Sequence, residues 1–362
     1  MIAHNTARTY KGQAVDAKQI GRELGVRYIL EGSVRRAGKT IRINAQLIDS
    51  ETGAHLWADR LETDLRQLAT AQSEIIGRLA RSLNLELLKD VGYRVEQERP
   101  IDPDARDLVM RGMALWYRPR AAANNDEAIR LFEQALQFDP RSTEARIGIA
   151  KILVSNLTQA WSRAVEEDTA RAESLLLEVL ERDTNSALAH STMGMVRRLQ
   201  NRLAESRFEF ETAIALDPND TYAHIQLAWV LLYLGDPPGA IRRCETAMRL
   251  SPRDPQLWGY HLPLGWCRLL TKEADLAIDQ VIRSRALNPR LWHIHFAVAA
   301  AQGFAGDVEG AKGALAAMWR LRPEVVSIAR YRADRPWGSS RYWELFNETA
   351  AVGLRRTGFR EE

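Results

Sequence analysis

NDTYAHIQLAWVLLYLGDPPGAIRRCETAMRLSP, Asn219 to Pro252, decides the fold because its ending is one of a series. ALQFDP ends at Pro140, AIALDP at Pro218, AMRLSP at Pro252 and ALNP at Pro289, with a weaker WRLRP at Pro323. Pro218 to Pro252 is 34 residues, Pro289 to Pro323 is 34 again, and Pro252 to Pro289 is 37, an insertion of three. Small residues recur 24 before these prolines at Gly194, Ala228, Gly265 and Ala299, with Gly112 offset by an insertion. Ala128, Ala240, Ala277 and Ala311 recur twelve before them, where close helix packing needs small side chains. A unit this short cannot bury its own apolar stripe and must stack on its neighbours.

A 34-residue helix–turn–helix period with this small-residue pattern is similar to the tetratricopeptide repeat, over about residues 105–323. One more repeat fits between Ser142 and Asp183, without the proline and with about ten extra residues near SNLTQAWSRAVEED. Six repeats result, and the expected architecture is an all-α superhelical solenoid. The tail, 324–362, leaves the pattern with RADRPWGSSRYWELFNETAAVGLRRTGF. A helix from about Ser340 to Arg355 is expected to cap the last repeat through Trp343, Leu345 and Phe346. This ending resembles the C-termini of bacterial chains that join a class III adenylate/guanylate cyclase domain, a TolB-like domain and such repeats.

In front of the array, residues 1–89 read as a small α/β domain, and the charged, proline-bearing 90–104 as a linker. Ile2 to Thr6 is a candidate strand, and Asp16 caps a helix that Gly25 closes. Gly38-Lys39-Thr40 looks like the end of a phosphate-binding loop, but the place that needs a glycine holds Ser33. Ile41, Ile43, Ala45 and Leu47 then alternate with polar residues, a strand period where phosphate binding needs a helix N-terminus. The reading is a hairpin turning at Gly38, a second turn at Ser50–Gly53, a third extended segment His55–Glu62 and an amphipathic helix from about Thr63 to Lys89. The strings ELGVRYILEGSVRR, AQLID and HLWADR resemble the TolB-like (FlgO-like) domain of bacterial multidomain proteins. That domain usually starts earlier, so the resemblance implies a further upstream segment, which would cover an otherwise open sheet edge.

Apolar content of 46%, charged content of 27% and a net charge of +3 describe a folded chain without an extended nucleic-acid surface. Cys244 and Cys267 are too few for a disulfide scaffold and read as buried thiols. No signal-peptide core opens the chain, and LAWVLLYLG is too short to span a bilayer, so a cytoplasmic location is expected. His190, His224, His261 and His295 hold one position in four successive repeats. Equivalent positions lie a helix pair apart, too far to share zinc at about 2 Å, so the row reads as packing. Asp102/Asp104 and Glu166/Glu167/Asp168 read as solvated caps, HExxH and G-x-S-x-G are absent from the sequence, and no metal or cofactor is expected.

The first helix of each repeat faces the concave side in the resembled family. That placement puts Met113, Trp116, Met195, Trp229, Tyr233, Trp266, Phe296 and Phe304 along the groove. Aromatics and methionines there fit a protein or peptide with an apolar segment rather than the carboxylate clamp known in that family. Alternatively these side chains are solenoid core, or lie under the N-terminal domain or the tail. The functional expectation is a non-catalytic interaction module of a bacterial signalling protein. The rival is the regulatory region of a class III cyclase, or of a winged-helix transcription regulator, whose effector domain lies outside this chain.

Overall fold

The computed structural model describes residues 16–38, 40–64, 104–116, 122–159, 161–252, 254, 256–333 and 337–362. The chain divides into two compact units, residues 1–99 and 100–362.

In the first unit, Asp16 accepts the Lys18 N–H and opens α1 (Ala17–Leu24), which Gly25 closes at φ 60°. Three antiparallel strands follow in the order β1 (Tyr28–Ala37), β2 (Thr40–Asp49), β3 (His55–Asp64). Ala37 pairs with Thr40, leaving a two-residue loop, and Gly38 takes φ 64°, the left-handed start that a tight hairpin turn demands. A strand, not a helix, leaves this turn. Register lines up Leu30 with Leu47 and Val34 with Ile43 on one face, and Ile43 with Leu61 beyond. The other face carries the Gln46–Glu31 and Arg42–Glu62 contacts, the polar side of a half-buried sheet. At the second turn Asp49 accepts from the backbone N–H groups of Glu51 and Thr52. Thr63 and Asp64, expected to open a helix, instead finish β3. The expected strand at Ile2–Thr6, the helix body to Lys89 and the linker up to residue 103 lie outside the described residues.

The second unit opens with six helix pairs: α2 (Ala105–Trp116) and α3 (Ala122–Phe138), α4 (Thr143–Thr158) and α5 (Val165–Arg182), α6 (Ala187–Leu199) and α7 (Leu203–Leu216). They continue with α8 (Thr221–Tyr233) and α9 (Pro237–Leu250), α10 (Trp258–Leu270) and α11 (Ala274–Leu287), α12 (Trp292–Ala305) and α13 (Val308–Leu321). The small residues act as predicted. A Cβ on Gly112 would come within 2.7 Å of the Phe132 ring, on Gly194 within 2.8 Å of Phe210, and on Gly265 within 2.5 Å of Val281. Each pair therefore closes only because one helix offers a notch to the other's large side chain. Ser142, Ser186 and Asp220 cap α4, α6 and α8 by accepting the N–H three residues on, which fixes where each first helix begins.

The histidine row has a structural task. His190 Nε2 lies 3.0 Å from the Thr184 carbonyl, His224 Nε2 3.0 Å from that of Pro218, and His295 Nε2 2.8 Å from that of Pro289. Each reaches six residues back and ties a first helix to the turn that ends the preceding repeat. Arg146 does the same in the second repeat, donating to the Pro140 carbonyl at 2.8 Å. His261 pairs instead with Gln280 Oε1 at 2.7 Å. Among the described residues no cluster of histidine, cysteine or carboxylate is placed to hold a metal ion.

The tail differs from its expectation. The sequence predicts a single helix from about Ser340 to Arg355. The structure has α14 (Ile328–Ala333), then α15 (Ser340–Glu348) and α16 (Ala350–Arg356), broken at Thr349, where φ −129° and ψ −82° leave the helical region. The break lets two short helices meet different partners.

Candidate functional site: the inner face of the helix array

The first helices of successive pairs pack on one another along the array, so α2, α4, α6, α8, α10 and α12 line its inner, concave face. The eight side chains predicted to line a groove sit on these helices in two different settings. Tyr233, Trp266, Phe296 and Met195 are buried, whereas Met113, Trp116, Trp229 and Phe304 are half-buried.

The tail makes the difference. The Tyr233 ring lies 5.4 Å from Tyr342 and 6.1 Å from Trp337. Trp266 stacks on Phe346 at 6.1 Å, and Phe296 stacks on Tyr331 at 4.2 Å. The Ser339 N–H donates to the Tyr233 carbonyl at 2.8 Å, and Arg356 donates to that of Phe304 at 2.7 Å. Lys272 and Glu348 form an ion pair at 3.0 Å. Gly303 and Gly353 meet backbone to backbone, so closely that a Cβ on Gly353 would lie 2.2 Å from the Ala300 carbonyl oxygen. The tail thus runs across the inner helices of the fourth, fifth and sixth repeats. Of the alternatives raised by the sequence, cover by the tail describes Tyr233, Trp266 and Phe296. Trp343 and Leu345, expected to cap the last repeat, are half-buried, while Phe346 is fully buried.

The remaining inner face, over repeats one to four, keeps Met113, Trp116 and Trp229 partly in reach and adds cationic groups the sequence reading missed. Lys151 on α4 holds its Nζ 5.2 Å from the Trp116 ring centre, a cation–π contact. Arg198 on α6 donates to Gln226 Oε1 on α8 at 2.9 Å, one inner helix to the next. Burial pushes the Asp220 carboxyl above its ordinary value, with Asp217 adding to this and Lys151 opposing it. A signal for Lys151 existed: counted from the Ser142 cap, it falls in line with Met195, nine after Ser186, and Trp229, nine after Asp220.

Of the predicted acids, Asp102 lies outside the described residues. Asp104 accepts the Asp107 N–H at the start of α2, and Asp168, in the first turn of α5, accepts from Ser162 Oγ at 2.7 Å. Both act as caps. Cys244 and Cys267 are buried, and desolvation raises both thiols well above the ordinary thiol range.

A pile of helix pairs whose first members line one face defines a helical-repeat scaffold, the class that presents an extended surface to other polypeptides. Residues 209–242 match the tetratricopeptide repeat family, and the array as a whole is a helical solenoid like those of tetratricopeptide repeats. It is 34% identical over 206 residues to "Putative adenylate cyclase 3" of Rhizobium meliloti (strain 1021), a match covering 57% of this chain and 35% of the relative. The chain therefore spans about a third of the length of the curated relative it matches. Among solved structures, it is similar to the APC/C hetero-tetramer Cut9–Hcn1 (TM-score 0.54, 18% identity, 71% of this chain and 46% of that one). It is also similar to a monomeric mutant of IFIT1 with Gppp-AAAA (TM-score 0.54, 15% identity, 80% of this chain and 69% of that one). At these identities the likeness is one of fold. Among the described residues no helix is long and apolar enough to cross a membrane.

Proposed function

We propose that this chain is a non-catalytic interaction module that docks a protein partner on the inner face of repeats one to four. One observation carries the reading: Trp116, with Lys151 over its ring, and Trp229 stay half-buried on that face, where Arg198 reaches Gln226, while the tail covers the equivalent face of repeats four to six. Large, partly wetted aromatics next to cations are the composition of interface hot spots. A partner segment with apolar side chains fits the indoles, and acceptor groups on it fit the two cations.

The test is a pull-down from a bacterial lysate with the intact chain and with a Trp116→Ala/Trp229→Ala variant as baits. A partner that the intact chain retains and the variant loses, at unchanged far-UV circular dichroism, supports the reading. A partner held equally by both refutes the location. A second reading rests on the cyclase-named relative, namely that this region regulates a class III cyclase domain outside the chain. Cyclic nucleotide formation from ATP or GTP with Mg²⁺ or Mn²⁺ by this chain alone would overturn the non-catalytic assignment.

A further inference from the structure

The tail is built unlike the array it lies on. α15 has nine residues and α16 seven, lengths at which an isolated helix does not hold together in water. Their order is lent by the inner face beneath them. Contact begins with an extended hook, in which the Ser339 backbone donates to the Tyr233 carbonyl while Trp337 and Tyr342 close on the Tyr233 ring. An amphipathic turn of helix then places Phe346 against Trp266, and α16 slides its Gly353 into contact with Gly303. A hook, an aromatic anchor and a close-packed short helix are how a segment that folds on binding engages a groove. A seventh repeat would pack on α13 in the manner of the first six; α16 packs on α12 instead.

We infer that the inner face of repeats four to six is a binding surface for an aromatic hook-and-helix segment, and that residues 337–362 are its ligand in cis. An outside polypeptide of the same chemistry reaches Tyr233, Trp266 and Phe296 only by displacing the tail. The inference does not rest on docking at repeats one to four, because its probe is the tail sequence itself.

The lever is Gly353, where any side chain meets the Ala300 carbonyl oxygen at 2.2 Å and the Phe304 nitrogen at 2.5 Å. In the full-length Gly353→Val chain, amides of α15 and α16 should exchange at least about tenfold faster while those of α4 to α9 keep their protection. A fluorescein-labelled synthetic peptide of residues 337–362 should then bind this variant saturably and not bind the intact chain. A Phe346→Ala peptide should bind roughly 30-fold more weakly or worse, as loss of a hot-spot aromatic does. Full-length Ser339→Ala is the gentler variant. It removes only the hydroxyl that caps α15 by accepting the Tyr342 N–H, and it should admit the peptide to a smaller extent. Equal peptide binding by the intact chain overturns cis occupancy. A released tail with no peptide binding overturns the ligand assignment. Loss of protection throughout α4 to α9 in both variants makes the tail a structural brace and likewise overturns the proposal.

Discussion

Trp266 and Trp229 occupy equivalent places one repeat apart, yet the structure assigns them different energetic weights. Trp266 is 4% exposed, with Phe296 at 6.2 Å and Phe346 at 6.1 Å. Trp266→Ala removes a buried indole and leaves a cavity beside two rings that helix backbones hold in place. The expected loss is about 3–5 kcal/mol. Trp229 is half-buried and stacks on Tyr233 at 5.7 Å with one side toward water. Its truncation forfeits part of the area and one ring contact, about 1–2 kcal/mol. Urea unfolding of the intact chain and both single variants, followed by far-UV circular dichroism with linear extrapolation, measures the difference. A Trp266→Ala chain within about 1 kcal/mol of the intact one would show that the tail does not seal the indole, and would remove the basis for separating the two halves of the inner face. Equal losses for the two variants would do the same.

Asp220→Asn should stabilise the chain at neutral pH. Asparagine caps as well as aspartate, and the substitution removes a carboxylate whose folded-state pKa burial has raised. A raised carboxyl penalises the fold where it must ionise and costs nothing where it is protonated in both states, so the advantage of the amide variant should fade on acidification through the raised pKa. Asp49→Asn should weaken the N-terminal sheet. Burial pushes the Asp49 carboxyl up, but the N–H groups of Thr52 and Glu51, with Arg27, outweigh it and hold the pKa below its ordinary value. That contribution is present at neutral pH and lost as pH falls through the lowered pKa, which amide exchange in β2 against pH would follow. His224→Leu should cost about 1–3 kcal/mol by stranding the Pro218 carbonyl, and equimolar Zn²⁺ should leave the melting temperature of the intact chain unchanged. Cys244 and Cys267 should resist iodoacetamide in the folded chain at pH 8 and react once urea unfolds it, as mass spectrometry would show.

The repeat was legible because its spacing follows from packing. Gly112, Gly194 and Gly265 face Phe132, Phe210 and Val281, so the notch must recur wherever a pair closes. The hairpin was legible for a similar local reason, since the turn at Gly38 takes a positive φ that glycine supplies without strain. The histidine row reads as packing from its spacing, but its bond to a carbonyl six residues back does not, because an arginine performs it at Arg146 and the acceptor at His190 is Thr184 rather than a marker proline. The path of the tail was the least legible part. Its aromatics signal burial without naming the face that buries them, and the break at Thr349 has neither glycine nor proline to announce it. For the same reason the sequence treats eight inner-face residues as one groove, where the structure separates three tail-covered side chains from Met113, Trp116, Met195 and Trp229 over the first four repeats, with Phe304 half-buried in the sixth.

Stacked helix pairs normally behave as a spring, each junction yielding a little when the array is stretched or bent. The bond from Ser339 to Tyr233, the Lys272–Glu348 pair and the Gly303–Gly353 contact span three successive repeats and the two junctions between them with one piece of chain, as a splint spans a limb. Pulling on the ends should therefore extend the first three repeats at low force and leave the last three to yield together. Any strain a bound partner imposes would be confined to the compliant end and felt there first.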